Sequence, residues 1–255
     1  MEKVSVLGVI PARMASSRFP GKPLELIKGK SMIWHVWQRS VLSGVLDKVV
    51  IATCDQEIKE AAEGFSAEVV MTSDKHTRAN DRIAEVAEKI PCDIVINIQG
   101  DEPLINPQLI VEVVEEFKKG DNVQCLNPIS EITTEEERQS PHTVKVVSDL
   151  KNKVLYFSRY PIPAALISER KASAYRQVPI IAFKSDFCIK ISKLEAGPLE
   201  IQESVDLLRA TEHGLPIDVF VTKFETMGVD TPEDMENVRK AIETDEIYKK
   251  YSENK

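Results

Sequence analysis

The feature that most constrains this chain is the alternation of short apolar stretches with amphipathic ones from residue 4 to residue 119. Residues 4–10 are largely apolar and stop at Pro11, the pattern of a buried strand feeding a loop. Ser31 then precedes Met32, Ile33, Val36, Trp37 and Val41, a helical spacing behind a residue suited to an N-cap. Further strands are expected at 48–52, 68–71 and 93–98, and further helices at 55–63, 80–90 and 107–119. Such alternation builds a mostly parallel sheet covered by helices on both faces. Ligands then bind beyond the carboxyl ends of the strands. The loop after Ile10 and the tripeptide Gly100-Asp101-Glu102 after Ile98 both lie at such ends, and they are expected to meet over one site.

Beyond residue 122 the pattern loosens. Strand-like runs at 143–147, 154–157 and 178–183 come with Pro161, Pro163 and Pro179. They read as a mixed lobe, about 122–190, inserted into the sheet, because no Gly/Ser-rich linker or charge block marks a boundary. An amphipathic helix is expected at 199–213, with Ile201, Val205 and Leu208 on one stripe, then a strand at 217–221 and a closing helix at 233–243. The 255 residues, 42% of them hydrophobic, suffice for one large core, so residues 1–255 are read as a single domain.

Composition narrows the function. No apolar run approaches the roughly 20 residues of a membrane-spanning helix. The first residues, Met1 to Val4, do not open a signal peptide, and a cytoplasmic location is the expectation. Cys54, Cys92, Cys125 and Cys188 show no CxxC spacing, so neither a zinc site nor a disulfide framework is expected. A net charge of -8 argues against nucleic-acid binding, and any phosphate chemistry must rest on local cations.

Residues 11–24 supply such cations. Arg13, Arg18 and Lys22 share this loop with Ala15, Ser16, Ser17 and Gly21, small residues that let backbone N–H groups approach a polyanion. The stretch is not a P-loop, since Lys22 is followed by Pro23. A solvated basic turn is the plain alternative, and position after the first strand favours phosphate. Asp101 and Asp230 each follow a strand-like stretch. Singly each suits a turn or a helix cap, and Asp230 is placed to cap the helix that Pro232 begins. Together they suit magnesium, which takes one or two carboxylates plus substrate phosphates and waters.

The stretches Ile10-Pro-Ala-Arg-Met-Ala-Ser-Ser-Arg-Phe-Pro-Gly-Lys-Pro-Leu24, Asn97-Ile-Gln-Gly-Asp-Glu-Pro-Leu104, Val144-Lys-Val-Val147 with Leu155-Tyr-Phe-Ser-Arg159, and Gly228-Val-Asp-Thr-Pro-Glu-Asp234 resemble the 3-deoxy-manno-octulosonate cytidylyltransferases. The resemblance spans about residues 4–238. It implies a Rossmann-like nucleotidyltransferase fold and a homodimer that joins CTP to a 2-keto-3-deoxy sugar acid with Mg2+, releasing pyrophosphate, in lipopolysaccharide biosynthesis. It implies that Arg13, Lys22 and Asp101 carry the chemistry. Ala12, Ser16, Arg18, Asn80, Arg82 and Gln99 would complete the nucleotide site, and Asp101 with Asp230 would hold the metal. Arg159, Arg176, Gln177, Ile181, Glu200, Asp206 and Leu207 would line the acceptor site.

Three stretches depart from the family. Its Ser-Gly-Thr-Asp/Glu-Arg reads Arg78-Ala79-Asn80-Asp81-Arg82, its Arg-His-x-Gly-Ile-Tyr reads Arg176-Gln177-Val178-Pro179-Ile180-Ile181, and its Leu-Glu-Gln-Leu-Arg reads Val205-Asp206-Leu207-Leu208-Arg209. Losing hydrogen-bonding groups at Ile181 and Leu207 points to an altered acceptor, either a deoxy, amino or otherwise modified octulosonate or a smaller phosphonate or carboxylate. Neutral drift is the plain alternative. A nucleotide-binding module without turnover is the reading from another class. His35 and His213 are read as structural, His142 as a surface residue near the cleft, and residues 135–137 as a solvated helical face.

Overall fold

The computed structural model describes residues 4–16, 18–120, 122–164 and 173–252. Ser17 of the cationic loop, Met1 to Lys3, and residues 165–172 of the expected lobe lie outside the described residues. The elements run β1 Val6–Pro11, β2 Leu26–Ile27, β3 Lys30–Ser31, α1 Met32–Leu42, β4 Lys48–Thr53, α2 Gln56–Glu63, β5 Glu68–Met71, α3 Ala79–Lys89, β6 Ile94–Ile98 and α4 Pro107–Lys119. They continue through β7 Cys125–Glu131, α5 Glu135–Gln139, β8 Lys145–Ser148, β9 Val154–Ser158, β10 Tyr175–Gln177, β11 Ile180–Lys184, α6 Ser185–Ser192, α7 Pro198–Glu203 and α8 Leu208–Glu212. Then come β12 Asp218–Val221, α9 Pro232–Ala241 and α10 Glu246–Ser252.

One sheet carries most of the strands, in the order β5-β4-β1-β6-β11-β7-β10-β8-β9, with β12 paired to β7. The half made by β5, β4, β1 and β6 is parallel. Strand β1 alternates its side chains between two cores. Leu7 and Val9 join Ile83, Val86 and Phe187 on one face, and Val6 and Ile10 join Ile33, Ile58, Leu109 and Val113 on the other. Each such aliphatic side chain contributes roughly 1.5–3 kcal/mol when taken fully out of water, which is why strands buried on both faces are apolar throughout.

The segment expected as a lobe is woven into this sheet. Strand β11 lies antiparallel between β6 and β7, so the long-range pairing of Ile181 with Asn97 sets the acceptor-side residues beside the carboxyl end of β6. The strand expected at 178–183 begins at Ile180, after Pro179, which cannot donate to the ladder, and β10 before it was not expected.

A correction concerns residues 199–213. These form two short helices, not one, because Ser204 takes a left-handed conformation (φ 53°) that ends α7. Val205 and Leu208 are buried, but Ile201 is 64% exposed, so the expected stripe does not form. Ser31 occupies the N-cap position of α1 but its side chain makes no capping hydrogen bond. No helix among the described residues is long and apolar enough to cross a membrane.

Candidate active site

The loop after β1 is drawn over the sheet by backbone bonds. Ala12 N–H donates to Ala52 O at 2.9 Å, Met14 N–H to Asp55 Oδ2 at 2.8 Å, and Gly21 N–H to Met14 O at 3.0 Å. Gly21, at φ 77°, turns the chain into the short 3-10 helix Lys22–Leu24, a conformation that costs a residue with a Cβ. Gly100 lets the end of β6 pass against this loop: a Cβ there would lie 2.4 Å from Pro11 O. Pro11 and Gly100, nearly 90 residues apart in sequence, are therefore in backbone contact.

Lys22 is where they meet. Its Nζ donates to Asp101 Oδ2 at 2.8 Å, to Val229 O at 2.6 Å and to Asp230 Oδ1 at 3.4 Å, using all three of its N–H donors. Asp230 is free to face the cleft because it is not the helix cap. Thr231 and Asp234 form a reciprocal capping box instead, with Asp234 Oδ2 accepting from the N–H groups of Thr231 and Asp230. Arg18 completes the cluster, with Nη2 2.8 Å from Asp230 Oδ1 and Nη1 donating to His142 Nδ1 at 3.2 Å.

Beneath these groups Glu102 is 4% exposed, and its Oε2 finds no hydrogen-bond partner among the described residues. Burial first, and the neighbouring Asp101 second, push its carboxyl well above the ordinary carboxylate range.

Two cavities open at the carboxyl ends of the strands. The first is lined by Ala12, Arg13, Ser16, Arg18, Lys22, Arg82, Gln99, Asp101 and Asp230. The second is lined by Asn80, Gln99, Arg159, Gln177, Ile181, Asp206 and Leu207. They share the wall of Thr77, Arg78, Ala79 and Gln99. At about 250 and 280 Å³, each alone falls below the roughly 300–1,000 Å³ of a small-molecule site. The two cavities adjoin across that wall.

The structure brings together most of the residues singled out from the sequence. Asn80, expected at the nucleotide, lies instead on the second cavity, where its Oδ1 accepts from Asn97 Nδ2 at 2.9 Å. Arg82 lines the first cavity, but its guanidinium is tied to Thr72 Oγ1 and, at 3.6 Å, to Cys54 Sγ. Arg159 is anchored by three carbonyls, donating to Glu203 O at 2.6 Å, Pro141 O at 2.9 Å and Ser204 O at 3.2 Å. Gln177 donates to Asn127 Oδ1 at 3.0 Å. The divergent residues Gln177, Ile181 and Leu207 do fall on one surface.

Two residues expected at the acceptor lie off both cavity walls. Arg176 Nε sits 2.8 Å from Glu137 Oε1 on α5, and Glu137 is thereby paired where a solvated face was expected. Glu200 is fully buried and holds Arg209 by two bonds, of 2.7 and 2.8 Å. Conversely, His76, Thr77 and Arg78 line the first cavity and were not singled out. Their signal was position, in the polar loop just before the helix that carries Arg82. Among the described residues no cluster of three or more His, Cys, Asp or Glu side chains converges, so a metal here would draw its other ligands from phosphate and water.

A family model for cytidylyltransferases matches residues 7–221. The 3-deoxy-manno-octulosonate cytidylyltransferase of Geobacter sulfurreducens is 41% identical over 245 residues, covering 92% of this chain and 98% of its own. That of Solibacter usitatus is 42% identical, covering 91% and 92%. A solved structure described as CMP:2-keto-3-deoxy-manno-octonic acid synthetase complexed with CTP superposes with a TM-score of 0.88 at 37% identity, over 94% of this chain and 98% of that one. A cytidylyltransferase of Leptospira borgpetersenii, at 18% identity and TM-score 0.64, shares the fold.

Proposed function

The chain belongs to the 3-deoxy-manno-octulosonate cytidylyltransferases, and we propose that it joins CTP to 3-deoxy-manno-octulosonate or a close relative of that acid, giving a CMP-sugar and pyrophosphate. The observation that carries this reading is the convergence of Lys22, Asp101 and Asp230 on the floor of the first cavity, with a second, differently lined cavity across a shared wall.

The acceptor's anomeric hydroxyl oxygen forms a bond to the α-phosphorus as the bond from that phosphorus to the α,β-bridging oxygen breaks. The electron pair leaves with pyrophosphate, and the hydroxyl proton passes to solvent. Residues of the loop after β1 hold the triphosphate: Arg13 and Lys22 by charge, Ser16 and Ala12 by close approach, with Arg18 reaching in from the rim. Gln99, on the wall common to both cavities, lies between nucleotide and acceptor. Arg159, held rigidly by three carbonyls, presents its remaining donors to the acid. No covalent intermediate with the protein is needed, and positioning and electrostatics supply the catalysis.

Mg2+ fits Asp101 and Asp230. Two hard carboxylate oxygens already converge on one cationic group, the Lys22 ammonium, which is the donor set magnesium uses beside substrate phosphates. Bound there, the ion would neutralise charge developing on the phosphates. We further infer a cytoplasmic homodimer. Its edge strand β9 and the residues after it expose Leu155 and Tyr160, which supports pairing with a second copy.

Pyrophosphate release tests the reading. CTP should outcompete UTP, ATP and GTP, and 3-deoxy-manno-octulosonate, its amino or deoxy analogues and small phosphonates should be run as acceptors. No release with any octulosonate, alongside tight CTP binding, would favour a silent nucleotide-binding module.

A further inference from the structure

We propose that Arg78 is a further catalytic residue, a guanidinium fixed at the seam between the two cavities to contact the α-phosphoryl group as the acceptor hydroxyl attacks it. This rests on the function proposed above. Of the four residues common to both cavities, Thr77, Arg78, Ala79 and Gln99, Arg78 alone carries charge. The α-phosphoryl group is the part of the reaction that both substrates share at the moment of transfer. A cation facing both cavities therefore faces the reacting centre.

Its mooring supports a catalytic role. Arg78 Nη1 donates to Ser204 Oγ at 2.8 Å, and Nε lies 3.6 Å from Glu200 Oε1 and 3.7 Å from Asp206 Oδ1. Glu200 is itself immobilised by Arg209, so the side chain is held from behind while it remains 26% exposed to the cleft. Of its five N–H donors, one is in a hydrogen bond among the described residues. Arg18 on the first cavity and Arg159 on the second lie close enough that burial first, then Arg18 and later Arg78, depress the Arg159 guanidinium. Arg18 thus lines the first cavity, Arg159 the second and Arg78 both, a cationic lining suited to charge that builds on phosphoryl oxygens as the oxygen–phosphorus bond forms and pyrophosphate departs.

The competing role is a tether that ties the start of α3 to the turn at Ser204. Arg78→Met and Arg78→Lys separate the two. In Arg78→Met, kcat should fall on the order of 100-fold while CTP affinity, measured by direct binding, stays within about threefold. Arg78→Lys, which keeps a cation at the seam but not the guanidinium's bond to Ser204, should recover part of kcat. The proposal is overturned if Arg78→Met retains kcat, if its CTP affinity falls as far as its kcat/KM, or if Arg78→Lys is no more active than Arg78→Met. A parent enzyme that releases no pyrophosphate would overturn both this proposal and the function beneath it, whereas an active parent with an equally active Arg78→Met overturns this one alone.

Discussion

Removing the Glu200 carboxylate should unfold the acceptor wall before it changes substrate contacts. Glu200 is fully buried, holds Arg209 through two hydrogen bonds, and lies on α7, just before the turn that carries Ser204, Asp206 and Leu207. Arg209 also holds Asp81 at 2.7 Å. Removing one member of a buried ion pair leaves its partner uncompensated and costs roughly 3–5 kcal/mol. In a chain of this size each kcal/mol moves Tm by about 2–4 °C, so Glu200→Ala should lower Tm by roughly 6–20 °C. The surviving Asp81 contact places the fall in the lower half of that range. A double replacement, Glu200→Leu with Arg209→Met, should recover much of it, because apolar side chains of similar volume need no charge partner. Thermal unfolding with CTP and acceptor absent is the assay. If Glu200→Ala melts within about 2 °C of the parent while its KM for the acceptor rises, Glu200 faces the sugar acid as the family resemblance implied, and the structural reasoning fails.

Lys22→Gln should weaken CTP binding and, by freeing Asp101 and Asp230 from the ammonium, should tighten binding of Mn2+ alone, read by its paramagnetic signal. Unchanged Mn2+ affinity would contradict a shared cation position. Gly100→Ala should shift the Asp101 turn away from Pro11, lowering kcat and costing a few kcal/mol of stability, as expected for overpacking against backbone; a fully active, equally stable variant would refute the close approach. His35 is buried, donates from Nε2 to Ile27 O at 2.8 Å and accepts at Nδ1 from the Tyr251 hydroxyl at 3.1 Å. Burial lowers its pKa from 6.5 to about 4, so the unfolded chain takes up the proton first. This contribution to stability is full above pH 6.5 and is lost as pH falls toward 4, by at most roughly 3 kcal/mol. His35→Gln should flatten that part of the stability–pH curve, and a curve parallel to the parent's would refute it.

The parallel half of the sheet was legible because strands buried on both faces announce themselves as apolar runs, and helices between them keep a 3.6-residue period. Lys22, Asp101 and Asp230 were legible for a related reason: each lies at or after a strand end, where this architecture places ligands. The break at Ser204 was not, since a non-glycine residue in the left-handed region carries no compositional mark. Nor was the pairing of Glu200 with Arg209 and Asp81, which depends on α7 and α8 folding onto the start of α3 from over 100 residues away. Arg78 stood in plain view within a departing stretch. Only the geometry of two adjoining cavities gives it a reason to be charged.

Phosphorus NMR of CTP with 3-deoxy-manno-octulosonate and Mg2+ follows the proposed transfer itself. Pyrophosphate and a CMP phosphodiester should grow in equal amounts as CTP declines, with no change when the acid or the metal is left out and almost none in Asp101→Ala. CTP that persists with the parent protein, or undiminished turnover in Asp101→Ala, would contradict the assignment of this cleft.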